Sequence, residues 1–331
     1  SLSAKEADRL FKVLERLRKT DVAILYISHR MSDIREIADK IICMRDGSIS
    51  GTFSTKPLDY EGAVTAMLGH KMTDVDIKIA KRGEEILKLD NLALSDQSIG
   101  INLSVYKSEV VAITGLLGSG KTELASILFG VKRPASGTIY LNKKLFSPNN
   151  PREAIKKGVY MSPKDRASNA VIGDFDIERN LTLPFLGSYA WLSMLRFKFL
   201  RKLARNKIEE MGVICQSEND EIETLSGGNQ QKVVVGRWLM EPCSLLVLDE
   251  PFQGVDIKAR RDIGTYIRKT SNSRATIVLV AELDEALEIA DRILVMNEKS
   301  LVGEHVNDNV NINKLLGDIA GKNLMPEQIS R

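Results

Sequence analysis

Cysteine is scarce in this chain. Of its 331 residues three are cysteines, Cys43, Cys215 and Cys243, far apart and without CxxC spacing. That excludes a disulfide framework and a cysteine zinc site as organising devices, and the thiols read as small buried hydrophobes in a reducing compartment. Long apolar runs are missing too. None approaches the roughly 18 residues of a membrane-spanning helix, and no signal-peptide pattern opens the chain. Charge of one sign is also lacking: 47 Lys and Arg against 44 Asp and Glu leave +3, too little to point to nucleic acid. The remainder, 43% apolar and 27% charged, suits a soluble cytoplasmic protein with one large or two moderate domains.

What the chain does contain is an internal repeat. "REIADKIICMRDGSISG" near the start matches "LEIADRILVMNEKSLVG" near the end in apolar pattern throughout and in identity at Glu-Ile-Ala-Asp. "AVTAMLGHKM" is loosely echoed by "INKLLGDIAGKNL". Chance likeness between two strand–helix–strand units is the alternative. The first copy lies about as far from the charged stretch after it as the second lies from the C-terminus, which disfavours chance. The expected organisation is therefore the C-terminal part of one domain, residues 1–76, followed by a complete second domain, residues 77–331. The charged stretch from Met72 to Glu85 would join them.

In the second domain an apolar strand, "VVAIT", runs into "GLLGSGKTELASILFG", which is G-x4-G-K-T opening a helix. Gly115, Gly118 and Gly120 let the backbone curl so that its N–H groups, with that of Ser119, converge on phosphate oxygens. Lys121 brings a positive charge to the outer phosphates, Thr122 a hydroxyl for Mg²⁺, and the helix start a favourable dipole. A glycine-rich turn with no ligand is the alternative. Further on, "SLLVLDEP" is a continuous apolar strand ending in two acids. Asp249 can hold the Mg²⁺ water shell there, and Glu250 can polarise the water that attacks a γ-phosphate.

Between them, "LSGGNQQKVVVGRWLMEP" gives Ser226 as a helix N-cap with bare glycine amides at 227 and 228, ahead of a helix expected over 229–240. Three motifs in this order resemble the ATP-binding-cassette ATPases. The resemblance implies an α/β P-loop NTPase fold with an inserted helical subdomain, here at about residues 165–223. It also implies that Ser226, Gly227 and Gly228 grip the γ-phosphate of a nucleotide held by a second cassette. "LSGGNQQKVVVGRWLMEPCSLLVLDEPFQGVDIKAR", with "SPKDR", is similar to the second cassette of the tandem ATP-binding subunits of bacterial ribose- and galactose-type importers. By that resemblance the chain hydrolyses MgATP at the cytoplasmic face of the membrane, working with permease subunits and, indirectly, a sugar-binding protein. Residues 1–76 are then the end of the first cassette, with His29 as its switch histidine.

Several positions depart from the family pattern. Aligning the two copies puts Ala281 opposite His29, so a phosphate-contacting histidine is missing and hydrolysis is expected to be slow. Lys164 stands where an acid is usual, and Phe252 where threonine is. No aromatic lies between Glu85 and Val105 to stack on adenine, which leaves aliphatic side chains for that task. Trp191, Leu192, Met194, Leu195 and Phe199 among Arg196, Lys198, Arg201, Lys202 and Arg205 read as a basic amphipathic helix, either core-packed or lying on anionic lipid. Two rival functions stay open: a soluble cassette acting on ribosomes or DNA, which would favour basic linkers or coiled-coil arms, and a nucleotide-gated module with negligible turnover.

Overall fold

The computed structural model describes residues 4–20, 22–28, 34, 36–45, 48–59, 62, 63, 66, 79–116, 118–191, 194–308 and 310–319. His29 and residues 72–78, half of the stretch expected to join the domains, lie outside them. Contacts divide the chain into two units, residues 1–76 with 256–258, and residues 77–255 with 259–331. In the first, helix α1 (Ala4–Arg18) precedes an antiparallel hairpin of β1 (Ile41–Arg45) and β2 (Ser48–Phe53). Its small core is Ile41, Cys43, Leu58 and Ala63, so Cys43 is the packed apolar residue expected of it.

The second unit opens with β3 (Glu85–Ala93), β4 (Ile101–Tyr106) and β5 (Val110–Thr114), then α2 (Lys121–Leu128), β6 (Ser136–Leu141), β7 (Lys144–Leu145), α3 (Pro151–Lys156) and β8 (Val159–Ser162). A helical stretch comes next: α4 (Ile177–Thr182), α5 (Leu186–Tyr189), a two-stranded hairpin of β9 (Ala190–Trp191) and β10 (Met194–Leu195), α6 (Phe197–Met211) and α7 (Gly227–Arg237). Last come β11 (Leu245–Asp249), α8 (Ile257–Lys269), β12 (Ala275–Leu279), α9 (Leu283–Ile289), β13 (Arg292–Asn297), β14 (Ser300–Val306) and α10 (Ile312–Ile319). The central sheet has six strands in the order β14-β13-β5-β12-β11-β8, parallel except for the antiparallel edge strand β14. A second, antiparallel sheet has the order β4-β3-β6-β7.

Strands β5, β11 and β12 are buried at every position, as parallel strands covered on both faces must be. Period-two alternation divides their side chains between two cores. Val111, Ile113, Leu245, Val247 and Ile277 join Leu124 and Leu128 of α2 and the antiparallel sheet on one side. Val110, Ala112, Leu246, Leu248 and Val278 meet Ile263 of α8 and Ile289 of α9 on the other. The helical stretch has its own core of Ile177, Leu181, Ala204, Ile222, Leu225 and Val233.

Two sequence expectations shift here. The basic amphipathic helix begins at Phe197, not at Trp191, because the chain first reverses: Met194 pairs with Trp191 and Leu195 with Ala190. Tyr189, buried just before that reversal, packs edge-on against Phe199 at 6.1 Å between ring centroids, so tertiary contact overrides the helix-favouring residues between them. The helix after the signature glycines runs over Gly227–Arg237, not 229–240. Its cap, Ser226, sets the start at the first glycine, and Trp238 ends it by turning into an aromatic group with Phe129, Tyr160 and Phe185.

The two copies of the repeat correspond in detail. β1–β2 is irregular between Cys43 and Met44, and β13–β14 between Val295 and Met296. Gly51 pairs with Cys43 as Gly303 pairs with Val295. A Cβ on Gly51 would stand 2.8 Å from Cβ of Ala66, and one on Gly303 2.5 Å from Oδ2 of Asp318. The aspartates of the two Glu-Ile-Ala-Asp stretches each meet an arginine near the end of the preceding long helix, Arg18 to Asp39 at 3.4 Å and Arg268 to Asp291 at 2.7 Å.

The starts of β5 and β13 in the main sheet are tied by Glu109 and Arg292, both at most 4% exposed. The guanidinium donates to both carboxylate oxygens at 3.0 and 2.9 Å, and the same carboxylate accepts from the Tyr106 N–H at 3.0 Å. Arg292 Nη1 also pairs with Glu304 at 2.9 Å, so loss of the Glu109 charge leaves the guanidinium partly compensated. Glu109→Gln is expected to lower stability by about 2 kcal/mol, measured as a shift of the urea unfolding midpoint.

Candidate functional site

The loop between β5 and α2 is shaped by glycines that no side chain could replace. Gly115 has φ +149, and a Cβ there would fall 2.1 Å from the Met296 carbonyl oxygen. Gly120, the α2 N-cap at φ +103, would collide with the Cα of Lys299 at 2.9 Å. The turn between β13 and β14 therefore presses directly on the loop, and the Lys299 N–H donates to the Ser119 carbonyl at 2.9 Å. Lys121 is 7% exposed and its Nζ donates back to the Gly115 carbonyl at 2.6 Å, so the ammonium is folded inside the loop. Burial pulls its pKa down, opposed chiefly by the charge of Glu250. Thr122 follows at the exposed start of the helix.

Asp249 ends β11 beside this loop and is 1% exposed. Neither of its carboxylate oxygens has a hydrogen-bond partner of good geometry, the neighbouring Thr122 hydroxyl included. Burial pushes its carboxyl up to about 6; Thr122 pulls it down, the Glu250 charge raises it further, and Lys164 and Lys121 oppose. Ser119 Oγ and Ser162 Oγ are likewise buried without partners. A buried carboxylate left unpaired is costly unless something else satisfies it. Among the described residues no group of three or more His, Cys, Asp or Glu side chains could hold a metal ion. A hydroxyl and one carboxylate instead form a sparse oxygen donor set. This fits a hard cation that keeps waters or phosphate oxygens in its shell, rather than one caged wholly by protein.

Glu250 comes next. Its φ of +46 is unusual for a residue with a side chain, and its N–H donates to the Leu279 carbonyl at 2.9 Å. The carboxylate accepts from Lys164 Nζ at 2.9 Å. The sequence marks Lys164 as a charge reversal, but its contact with Glu250 appears only in three dimensions. Ala281, two residues past the end of β12, offers no side-chain donor. Phe252 is 5% exposed within the second core.

Ser226 caps α7, its Oγ accepting from the Asn229 N–H at 3.5 Å and from the Asn229 side-chain amide at 3.1 Å. The first-turn amides of Gly227 and Gly228 thus carry the positive end of a helix. Nη2 of Arg166 would lie 3.0 Å from a Cβ on Gly227, while its Nε and Nη1 are buried without partners. So Gly115, Gly118, Ser119, Gly120, Lys121, Thr122, Asp249 and Glu250 belong to one region, and Ser226, Gly227 and Gly228 to another, beside Arg166. The sequence reading missed Arg166, although "SPKDR" contains it, and also Glu285. That carboxyl is 8% exposed and accepts from the Ala281 and Glu282 N–H groups at 3.3 and 3.2 Å.

Residues 99–253 match the family model described as ABC transporter. The chain is 32% identical over 326 residues to the ribose import ATP-binding protein RbsA of Clostridium tetani, covering 96% of this chain and 63% of that protein. It is 36% identical over 307 residues to the protein of the same name from Caldanaerobacter subterraneus, covering 92% and 62%. It is 33% identical over 331 residues to a putative ribose/galactose/methyl galactoside import ATP-binding protein of Halalkalibacterium halodurans, covering 99% and 63%. The chain thus spans less than two thirds of these relatives' length. Among solved structures it resembles a dimeric ATP-binding cassette in a post-hydrolysis state with ADP and phosphate, with TM-score 0.57, 20% identity and coverage of 68% of this chain and 100% of that one. A nucleotide-free cassette from an ABC transporter gives TM-score 0.59 and 22% identity, covering 71% and 96%. The fold is that of these cassettes.

Burial raises the Glu285 carboxyl to about 7, with the adjacent N–H groups opposing. The folded chain therefore keeps a proton there that the unfolded chain releases near the ordinary glutamate value. Stability contributed by this group is present at low pH and lost as pH rises from about 4.5 to about 7, at up to about 1.4 kcal/mol per pH unit. Glu285→Gln is expected to flatten the stability profile in that window, as read by urea unfolding at several pH values.

Proposed function

Because residues 99–253 match the family model described as ABC transporter, we propose that this chain binds MgATP and hydrolyses it to energise monosaccharide import through a membrane permease. The observation that carries the reading is Asp249, a buried carboxylate with both oxygens unpartnered beside Thr122 and the glycine loop. In this reading the N–H groups from Gly115 to Lys121 and the Lys121 ammonium receive the phosphates. Thr122 and Asp249 hold Mg²⁺, which when bound neutralises charge on the outer phosphates. Glu250 accepts a hydrogen bond from water and aims its oxygen at the γ-phosphorus. The bond from that phosphorus to the bridging oxygen breaks, and the water's proton leaves with the phosphate product. Positioning and charge neutralisation carry the rate.

Ser226, Gly227 and Gly228 serve the nucleotide of a second cassette, whose own signature completes the site built on Lys121. The detailed correspondence of β1–β2 with β13–β14 supports reading residues 1–76 as the end of one cassette and 77–331 as another. Sugar import is what the printed names say of the relatives. Among the described residues no helix is long and apolar enough to cross a membrane, in keeping with a peripheral subunit that docks on permease partners at the cytoplasmic face.

Lys121→Ala is expected to weaken MgATP binding at least tenfold, roughly 1.4 kcal/mol, by calorimetry; unchanged affinity removes Lys121 from the phosphate site. Glu250→Gln is expected to retain MgATP binding and lose most phosphate release. Parental turnover in that variant would mean another residue orients the water.

A further inference from the structure

β8 and β11 are parallel neighbours with Ser162 opposite Leu248, so the segments just past the two strand ends emerge side by side. That is how Lys164 reaches Glu250. Lys164 Nζ lies 2.9 Å from Glu250 Oε1, with the two side chains 32% and 9% exposed. Glu250 is constrained from behind as well, by its left-handed backbone and its N–H bond to the Leu279 carbonyl. The positive charge of Lys164 is also felt by Lys121 and Asp249, so this second lysine faces the same site.

A carboxylate that accepts a charge-assisted hydrogen bond is a poorer acceptor for water, and it is not free to turn toward one. We propose that Lys164 is a positioning residue that restrains Glu250, so that hydrolysis requires the Lys164–Glu250 pair to part. The proposal rests on the reading of Glu250 as the residue that orients the attacking water. It makes the rate of turnover depend on two residues in this cassette, independent of Ala281. Lys164 hydrogen-bonds Glu250 and not the phosphate loop, so its effect on chemistry exceeds its effect on binding.

The test compares phosphate release and MgATP affinity in the parent chain, K164Q, K164R, E250Q and the double variant K164Q/E250Q. Freeing a partly exposed ion pair predicts that K164Q raises kcat about three- to tenfold with a smaller change in KM for ATP. K164R, which keeps the pair, shows no such rise, and the double variant loses the gain. An unchanged or lower kcat in K164Q beside a parent that turns over and an impaired E250Q overturns the restraint while leaving Glu250 in its role. A lower kcat with a raised KM would place Lys164 on the nucleotide instead. Parental turnover in E250Q defeats the Glu250 assignment, and the restraint with it. Assays at rising chain concentration let a second copy complete each site; absence of turnover in all variants at every concentration overturns the proposal, since freeing Glu250 must then expose hydrolysis.

Discussion

The unpartnered carboxylate of Asp249 is the constraint on which the rest of the large unit depends. A parallel strand buried on both faces delivers that acid to the end of the sheet with 1% of its surface exposed and no hydrogen bond to either oxygen. An ionised carboxylate in such a place is unfavourable by itself, which is why its pKa rises to about 6. The loop beside it is arranged to oppose that cost: Lys121 folded inward on the Gly115 carbonyl, Thr122 at the helix start, and Lys164 contributing charge from the neighbouring strand end. The β13–β14 turn presses on the loop from outside and leaves it little freedom to relax.

Much of this was legible in the sequence because each feature has a local cause. The β5 strand, the glycine loop and the start of α2 follow from apolar continuity, positive-φ glycines and a helix-forming run. β11 could be placed from "LLVLD" alone. The cassette fold was reached from the order of the motifs, which is a resemblance and not a derivation from periodicity. The misplaced elements are those decided by distant contacts. Between Ala190 and Leu195 nothing local announces a chain reversal, and the end of α7 is set by where Trp238 finds aromatic partners. Arg166 beside Gly227 and Lys164 beside Glu250 are pairings across the fold, so no spacing in the sequence encodes them.

The repeat shows what is held fixed in this architecture and what is exchanged. Strand irregularity, the glycine packed against Ala66 or Asp318 and the arginine–aspartate contact occur in both copies. The residues around that glycine differ: Phe53 and Ala66 in one copy correspond to His305 and Asp318 in the other, where Nε2 and Oδ2 lie 2.8 Å apart and buried. The backbone geometry thus tolerates an apolar pair or a hydrogen-bonded polar one of similar extent, provided the polar groups satisfy each other.

The central claim is that one metal-dependent nucleotide site is built from the glycine loop and Asp249. Its most direct test is a calorimetric titration of the chain with ATP, in Mg²⁺ and again in EDTA. The account predicts one saturable nucleotide per chain in Mg²⁺ and markedly weaker binding without it. No saturable binding in Mg²⁺, or binding of equal strength in EDTA, would contradict it.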